Sequence, residues 1–135
     1  MTFSSKIKIR FQHCDPAGIV FYPRYFEMFN QMVEDWFAEE IGMSFQTMHV
    51  EHRLGVPLVH VEADFVKASR IGEVLVFTLR VVEIRARSFR LAVEASLGGE
   101  ARVKAELTLA CVSLGETLHS TDMPGSLRKA MLAYA

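Results

Sequence analysis

The sequence predicts an α+β domain of two layers, in which a five-stranded antiparallel sheet wraps one long helix. Two periodicities and the punctuation between them carry that expectation. One stretch of the chain repeats apolar residues at three- and four-residue steps, and alternating runs lie on both sides of it. Gly- and Pro-containing breaks fall between the runs, and an apolar helix needs the apolar face of a sheet to cover it.

The elements follow in order. Residues 6–12 set Ile7, Ile9 and Phe11 against Lys6, Lys8 and Arg10, as in a half-buried strand. Asp15-Pro16-Ala17-Gly18 then bends the chain, because it joins a side chain that bonds to nearby backbone, a fixed φ and a residue without Cβ. Pro23 suits the first helical position, and Phe26, Phe29, Val33 and Phe37, with Met28, Met32 and Trp36, mark the apolar face of a helix that Gly42 stops. Residues 43–55 read as a connection with one irregular helical turn.

Beyond Pro57 the period is two. Val59, Val61, Ala63 and Phe65 share one face; Leu75, Phe77, Leu79 and Val81 share the next within 74–84; Phe89, Leu91, Val93, Ala95 and Leu97 follow. Gly98-Gly99 signals a hairpin into 101–113, with Val103, Ala105, Leu107 and Leu109 inward. Short links make these strands antiparallel, and Asp122-Met123-Pro124 opens a short terminal helix. No repeat or linker divides the chain, so residues 1–135 are expected to form a single domain.

The composition excludes several classes. Fifteen Lys and Arg against 16 Asp and Glu leave a net charge of −1, without the basic field that nucleic-acid or anionic-membrane binding requires. The opening residues resemble neither a signal peptide nor a membrane span, which places the protein in the cytoplasm. Cys14 and Cys111 belong to no spaced array, so neither a disulfide framework nor a structural zinc site is expected.

The chemistry concentrates at Asp15, a carboxylate in a tight bend shortly before a helix. Backbone N–H groups at a helix start lack intrahelical acceptors and can polarise a carbonyl oxygen as it becomes an oxyanion. Tyr22 supplies such a group and Pro23 cannot. Asp15 can attack a carbonyl held there or deprotonate a water that does. A thioester suits this equipment, since its thiolate departs without a dedicated acid. On the residues alone, an aspartate before proline also serves as a plain turn residue.

The stretch Asp15-Pro16-Ala17-Gly18-Ile19-Val20-Phe21-Tyr22-Pro23-Arg24-Tyr25-Phe26, following a short amphipathic strand, resembles the signature of the 4-hydroxybenzoyl-CoA thioesterase family of hotdog-fold proteins. That resemblance implies an acyl-CoA thioesterase without a cofactor or metal. Asp15 takes the catalytic carboxylate position, the Tyr22 N–H polarises the carbonyl, and Gly18 lets the backbone pass close to the thioester. An aromatic acyl group such as benzoyl or 4-hydroxybenzoyl is implied. So is a homodimer, assembling further to a homotetramer, with sites between subunits. Arg85 and Arg87 with Ser88, on a hairpin, would bind the phosphates of coenzyme A, as guanidinium groups do well. The alternative is a non-catalytic acyl-CoA binding module of the same fold.

Other polar groups read as structural. His60, Glu62 and Asp64 share one strand face as a solvated or interface stripe. His13 and Cys14 are adjacent and point apart, which argues against a thiol nucleophile with its base, and leaves His13 to position Asp15. His49 and His52 are read as surface residues.

Overall fold

The computed structural model describes residues 1–135. Strand β1 (Phe3–Lys8) leads through a 3-10 turn (Phe11–His13) and a tight bend into helix α1 (Pro23–Trp36), which continues as a π-type turn (Phe37–Ile41). Helix α2 (Phe45–Val50), the short strand β2 (Leu54–Gly55) and β3 (Leu58–Phe65) follow. The rest is β4 (Val74–Ile84), β5 (Ser88–Leu97), β6 (Glu100–Ala110), β7 (Val112–Leu114), β8 (Leu118–Ser120) and α3 (Gly125–Leu132).

Five strands form one antiparallel sheet in the order β1-β4-β5-β6-β3, the number expected from the alternating runs. Its register sets Phe3 opposite Leu79, Phe77 opposite Ala95, Leu91 opposite Leu107 and Ala63 opposite Ala105. The period of two therefore stacks Leu75, Phe77, Leu79, Phe89, Leu91, Val93, Val103 and Leu107 on one buried face. Against it lies the buried stripe of α1, Tyr25, Met28, Phe29, Met32, Val33 and Trp36. Phe29 meets Phe77 with ring centroids 6.5 Å apart, and Phe37 meets Phe89 at 6.1 Å. Each such side chain contributes roughly 1.5–3 kcal/mol by leaving water. Pro23 opens α1, and Gly42 closes the π-type turn at φ 85°, its N–H bonded to the Phe37 carbonyl at 3.0 Å.

Four expectations are corrected. The long helix widens in its last turn to the π-type turn, while α3 is the terminal helix expected after Asp122-Met123-Pro124. The irregular turn expected within 43–55 is the regular helix α2, whose start is capped by the Ser44 hydroxyl accepting the Thr47 N–H at 3.1 Å. The expected strand over 6–12 ends at Lys8, and Phe11 is 85% exposed rather than inward. The cause is local: the Arg10 N–H donates to His13 Nδ1 at 2.8 Å and the His13 N–H returns to the Arg10 carbonyl at 3.0 Å, so a 3-10 turn replaces the ladder. The run over 101–113 breaks at Cys111, where the N–H bonds to the Arg87 carbonyl at 2.8 Å; β7 then joins a small second sheet in the order β2-β7-β8.

Strand β3 is an open edge. Val61 and Ala63 are half-buried, but Val59 and Phe65, expected inward, are exposed because nothing covers that flank of the sheet. At the far end, α3 packs Leu127 and Met131 into the core. The Tyr134 carbonyl there accepts the Val81 N–H at 2.8 Å, and its hydroxyl donates to Glu40 at 2.7 Å.

Candidate active site

The bend after the 3-10 turn is held by its own polar groups. The Ala17 N–H donates to Asp15 Oδ1 at 2.9 Å, the Gly18 N–H to the Asp15 carbonyl at 3.0 Å, and the Asp15 N–H to the Ile19 carbonyl at 3.0 Å. Gly18 sits at φ 78°, where a Cβ would be strained. Asp15 thus does what a turn aspartate does, but with one oxygen; no donor of the chain bonds to Oδ2.

The chain next reaches the helix start. The Phe21 N–H donates to the His13 carbonyl at 2.9 Å and the Arg24 N–H to the Phe21 carbonyl at 2.8 Å, while Pro23 has no N–H. Between them the Tyr22 N–H has no acceptor within the chain. It is an orphan donor at the positive end of α1, of the kind that stabilises a developing oxyanion. An antiparallel bridge between Cys14 and Val20 ties the carboxylate turn to the segment that carries this amide.

The first turn of α1 carries an aromatic cluster, part buried and part exposed. The Phe65 ring, 48% exposed at the end of β3, is 6.1 Å from Tyr22, 5.8 Å from Tyr25 and 6.5 Å from Phe26, and Phe21 stands 5.5 Å from Tyr22. Farther along the helix, a cavity of about 450 Å³ opens between Asn30 and Glu34 of α1 and Phe45, His49, Val56 and Leu58. Sequence reading did not bring Phe65 to the helix start, because period two grouped it with the other apolar residues of its strand; its position as the last residue of an edge strand was the available signal.

His13 does not bond to Asp15. Its Nδ1 is occupied by the Arg10 N–H, and burial, helped by Arg10 and Arg24 against Glu27, pushes its pKa below the ordinary histidine value. The neutral ring therefore carries its proton on Nε2 and borders a cavity of about 360 Å³ with Gln12, Arg24, Glu27 and Gln31. The Cys14 thiol turns to the Arg10 carbonyl, 3.5 Å away, so no thiol–imidazole pair forms. His60 Nε2 stands 3.2 Å from Glu62 as a solvated pair on the outer sheet face. That face also frames a cavity of about 650 Å³, lined by Glu62, Asp64, Arg80, Glu94 and Lys104 among others and away from the Asp15 turn.

The hairpin between β4 and β5 presents Arg85, Arg87 and Ser88, each differently engaged. Arg85 Nε reaches Glu83 at 3.0 Å and shares a cavity of about 130 Å³ with Ser88, Arg90 and Thr108. Arg87 turns the other way, to Asp122 at 2.8 Å. Arg128 of α3 donates to the Arg85 carbonyl, adding a cation that the sequence did not place there. This hairpin and the Asp15 turn lie at opposite ends of β4: Glu73, just before the strand, accepts the Ile9 N–H, whereas Arg85 just follows it. Eleven residues of strand separate them, roughly 30 Å along its length.

An antiparallel sheet packed on a principal helix, with a tight turn delivering the chain to the helix start, is the arrangement of the hotdog fold. The chain belongs to the thioesterase-like superfamily, whose profile matches residues 9–131. It is 29% identical over 125 residues to the 4-hydroxybenzoyl-CoA thioesterase of Pseudomonas sp. strain CBS-3, covering 87% of this chain and 88% of that one. It is 26% identical over 117 residues to the 1,4-dihydroxy-2-naphthoyl-CoA hydrolase of Synechocystis sp., covering 85% and 84%. Among solved structures, an aspartate-to-asparagine variant of a 4-hydroxybenzoyl-CoA thioesterase, complexed with 4-hydroxybenzoyl-CoA, superposes with a TM-score of 0.85 at 25% identity over 96% of this chain and 98% of that one. A 1,4-dihydroxy-2-naphthoyl-CoA thioesterase from Synechocystis superposes with a TM-score of 0.87 at 23% identity, covering 98% and 96%, a likeness of fold.

Proposed function

We propose that this protein hydrolyses an aromatic acyl-CoA thioester to the free acid and coenzyme A, with Asp15 as the working carboxylate. The observation that carries the reading is the pairing of a carboxylate with one uncommitted oxygen and an unpaired Tyr22 amide, tied together by the Cys14–Val20 bridge.

The acyl oxygen accepts the Tyr22 N–H, and negative charge growing on it in the tetrahedral state strengthens that bond more than the ground state does. Asp15 Oδ2 then acts in one of two ways. As a general base it takes a proton from a water that adds to the carbonyl carbon. As a nucleophile it forms an acyl–aspartyl anhydride that water opens. In both, the carbon–sulfur bond breaks, the thiolate takes its bonding pair, and water supplies the hydroxyl of the product acid. Gly18 leaves the approach to the carbonyl free of a side chain. The exposed rings of Phe65, Tyr22 and Phe21 at the helix start, and the names of the relatives, support an aromatic acyl group.

Arg85, Arg87 and Ser88 bind the phosphates of coenzyme A, exchanging the carboxylates of Glu83 and Asp122 for the nucleotide. Their separation from Asp15 along β4 supports a site shared between two protomers, so that the hairpin of one serves the carboxylate of the other. The open β3 edge, with Val59, Phe65 and Val66 exposed, is the surface on which a second copy pairs. We expect a homodimer, paired again into a tetramer.

The test is a panel of benzoyl-, 4-hydroxybenzoyl-, 1,4-dihydroxy-2-naphthoyl- and aliphatic acyl-CoA thioesters, with thiol release followed by a thiol-reactive dye. Aromatic substrates should give the higher kcat/KM. Binding of all of them without thiol release would favour the non-catalytic acyl-CoA module instead.

A further inference from the structure

Ser69 is only 1% exposed, yet it belongs to none of the apolar packing. Its backbone carbonyl accepts the Val20 N–H at 2.9 Å, and its hydroxyl oxygen accepts the Tyr25 phenol at 3.0 Å. Val20 and Tyr25 flank Tyr22 in the chain. One residue on the turn between β3 and β4 therefore grips both ends of the segment that presents the unpaired amide.

Ser69 is itself braced. Arg102 Nη1 donates to Ser69 Oγ at 3.2 Å and to the Ala68 carbonyl at 3.1 Å. The same guanidinium is fastened to Glu73 by Nη1–Oε1 at 2.9 Å and Nη2–Oε2 at 3.2 Å. Arg102 reaches this turn because it is the extra residue of a β-bulge: Ala95 pairs with Val103 and Ser96 with Ala101, which leaves Arg102 without a partner on β5. A bulge re-aims the side chain it carries, here beneath the turn, and the Arg102 carbonyl also takes the N–H groups of Val66 and Lys67 at 2.9 and 3.2 Å. The guanidinium is 8% exposed and Glu73 26%, so the pair holds the brace from the edge of the core rather than from within it.

We propose that Ser69, braced by Arg102, is a positioning residue that sets the Tyr22 amide opposite the Asp15 carboxylate, with the Tyr25 hydroxyl as its link to α1. This rests on the reading of that amide as the carbonyl-polarising group. A donor displaced by a fraction of an ångström loses most of its grip on an oxyanion while ground-state binding, set by the nucleotide and the acyl group, stays. The signature is therefore a fall in kcat at constant KM.

The experiment compares Ser69→Ala, Tyr25→Phe and their combination with Tyr134→Phe, which removes the part-buried bond of a buried tyrosine to Glu40 at the far end of the core. Ser69→Ala should lower kcat roughly 10- to 50-fold and Tyr25→Phe roughly fivefold, with KM within about twofold in both. The combination should be no slower than Ser69→Ala, because both changes cut one link. Tyr134→Phe should melt earlier and keep its kcat. If Ser69→Ala does not fold, Tyr25→Phe, which leaves the Arg102 brace in place, reads the same link alone. Unchanged kcat in the foldable variants, or an equal loss in Tyr134→Phe, overturns the proposal. Asp15→Asn run in parallel separates the two failures: full activity there sinks the reading of the site, whereas an inactive Asp15→Asn beside a normal Tyr25→Phe sinks only the role given to Ser69.

Discussion

Replacing Asp15 with Asn removes one charge and changes almost nothing else. The asparagine Oδ1 keeps the bond from the Ala17 N–H, now 2.9 Å long, and the side-chain volume is preserved, so the turn that Gly18 completes at φ 78° is retained. A bond to a charged acceptor contributes about 1.5–3 kcal/mol and a neutral one about 1, so the cost in stability stays at or below about 2 kcal/mol. The uncommitted oxygen becomes an NH₂ group, which can neither accept a proton from water nor attack a carbonyl carbon. Losing a principal base or nucleophile should lower kcat at least roughly 100-fold, about 2.7 kcal/mol in the barrier, with KM little changed. The assay is release of coenzyme A thiol from benzoyl- and 4-hydroxybenzoyl-CoA, with thermal melts to confirm the fold. An Asp15→Asn protein that turns over within about threefold of the parent would refute the assignment.

Three further outcomes are expected. Arg85→Ala with Arg87→Ala should raise KM and flatten its dependence on salt while kcat holds; an unchanged KM would remove the hairpin from the site. Val59→Lys, at an exposed edge position, should cost the protomer less than about 0.5 kcal/mol yet shift the assembly toward monomers and lower activity with it, as read by light scattering; an intact, active dimer would rule out β3 as the joint. Tyr134→Phe should lose about 1 kcal/mol at neutral pH. Burial and the bond to Glu40 push the Tyr134 pKa up to about 12, whereas the unfolded chain ionises near the ordinary tyrosine value of 10.0. A raised native pKa stabilises fully below the unfolded value and is lost as pH rises through the native one. The parent should therefore lose stability between those two values, and the variant should show a shallower fall, measured by melts across the alkaline range.

The Asp15 turn and the helix it feeds were legible because they are local. Asp, Pro and Gly act on their own backbone, and the spacing from Phe26 through Phe37 marks which side of α1 is apolar before any partner arrives. The inner faces of β4, β5 and β6 were legible for the same reason. The ends of elements were not. Whether Phe11 continued a strand depended on His13 capturing the Arg10 N–H, a bond that the alternation of apolar residues does not register. Phe65 and Val59 alternated like core residues, but alternation does not tell an inner strand from an edge.

The sequence by itself determined the class of fold, the carboxylate turn and the helix start, since each follows from interactions among neighbours in the chain. Only the tertiary structure decided that Ser69 and Arg102 brace that helix start, that the Phe65 ring lies against the ring of Tyr22, and that the arginine hairpin stands at the other end of β4 from Asp15. Those relations join residues far apart in the chain, and they exist only once strand order, register and the bulge at Arg102 are set by the packing of the whole core.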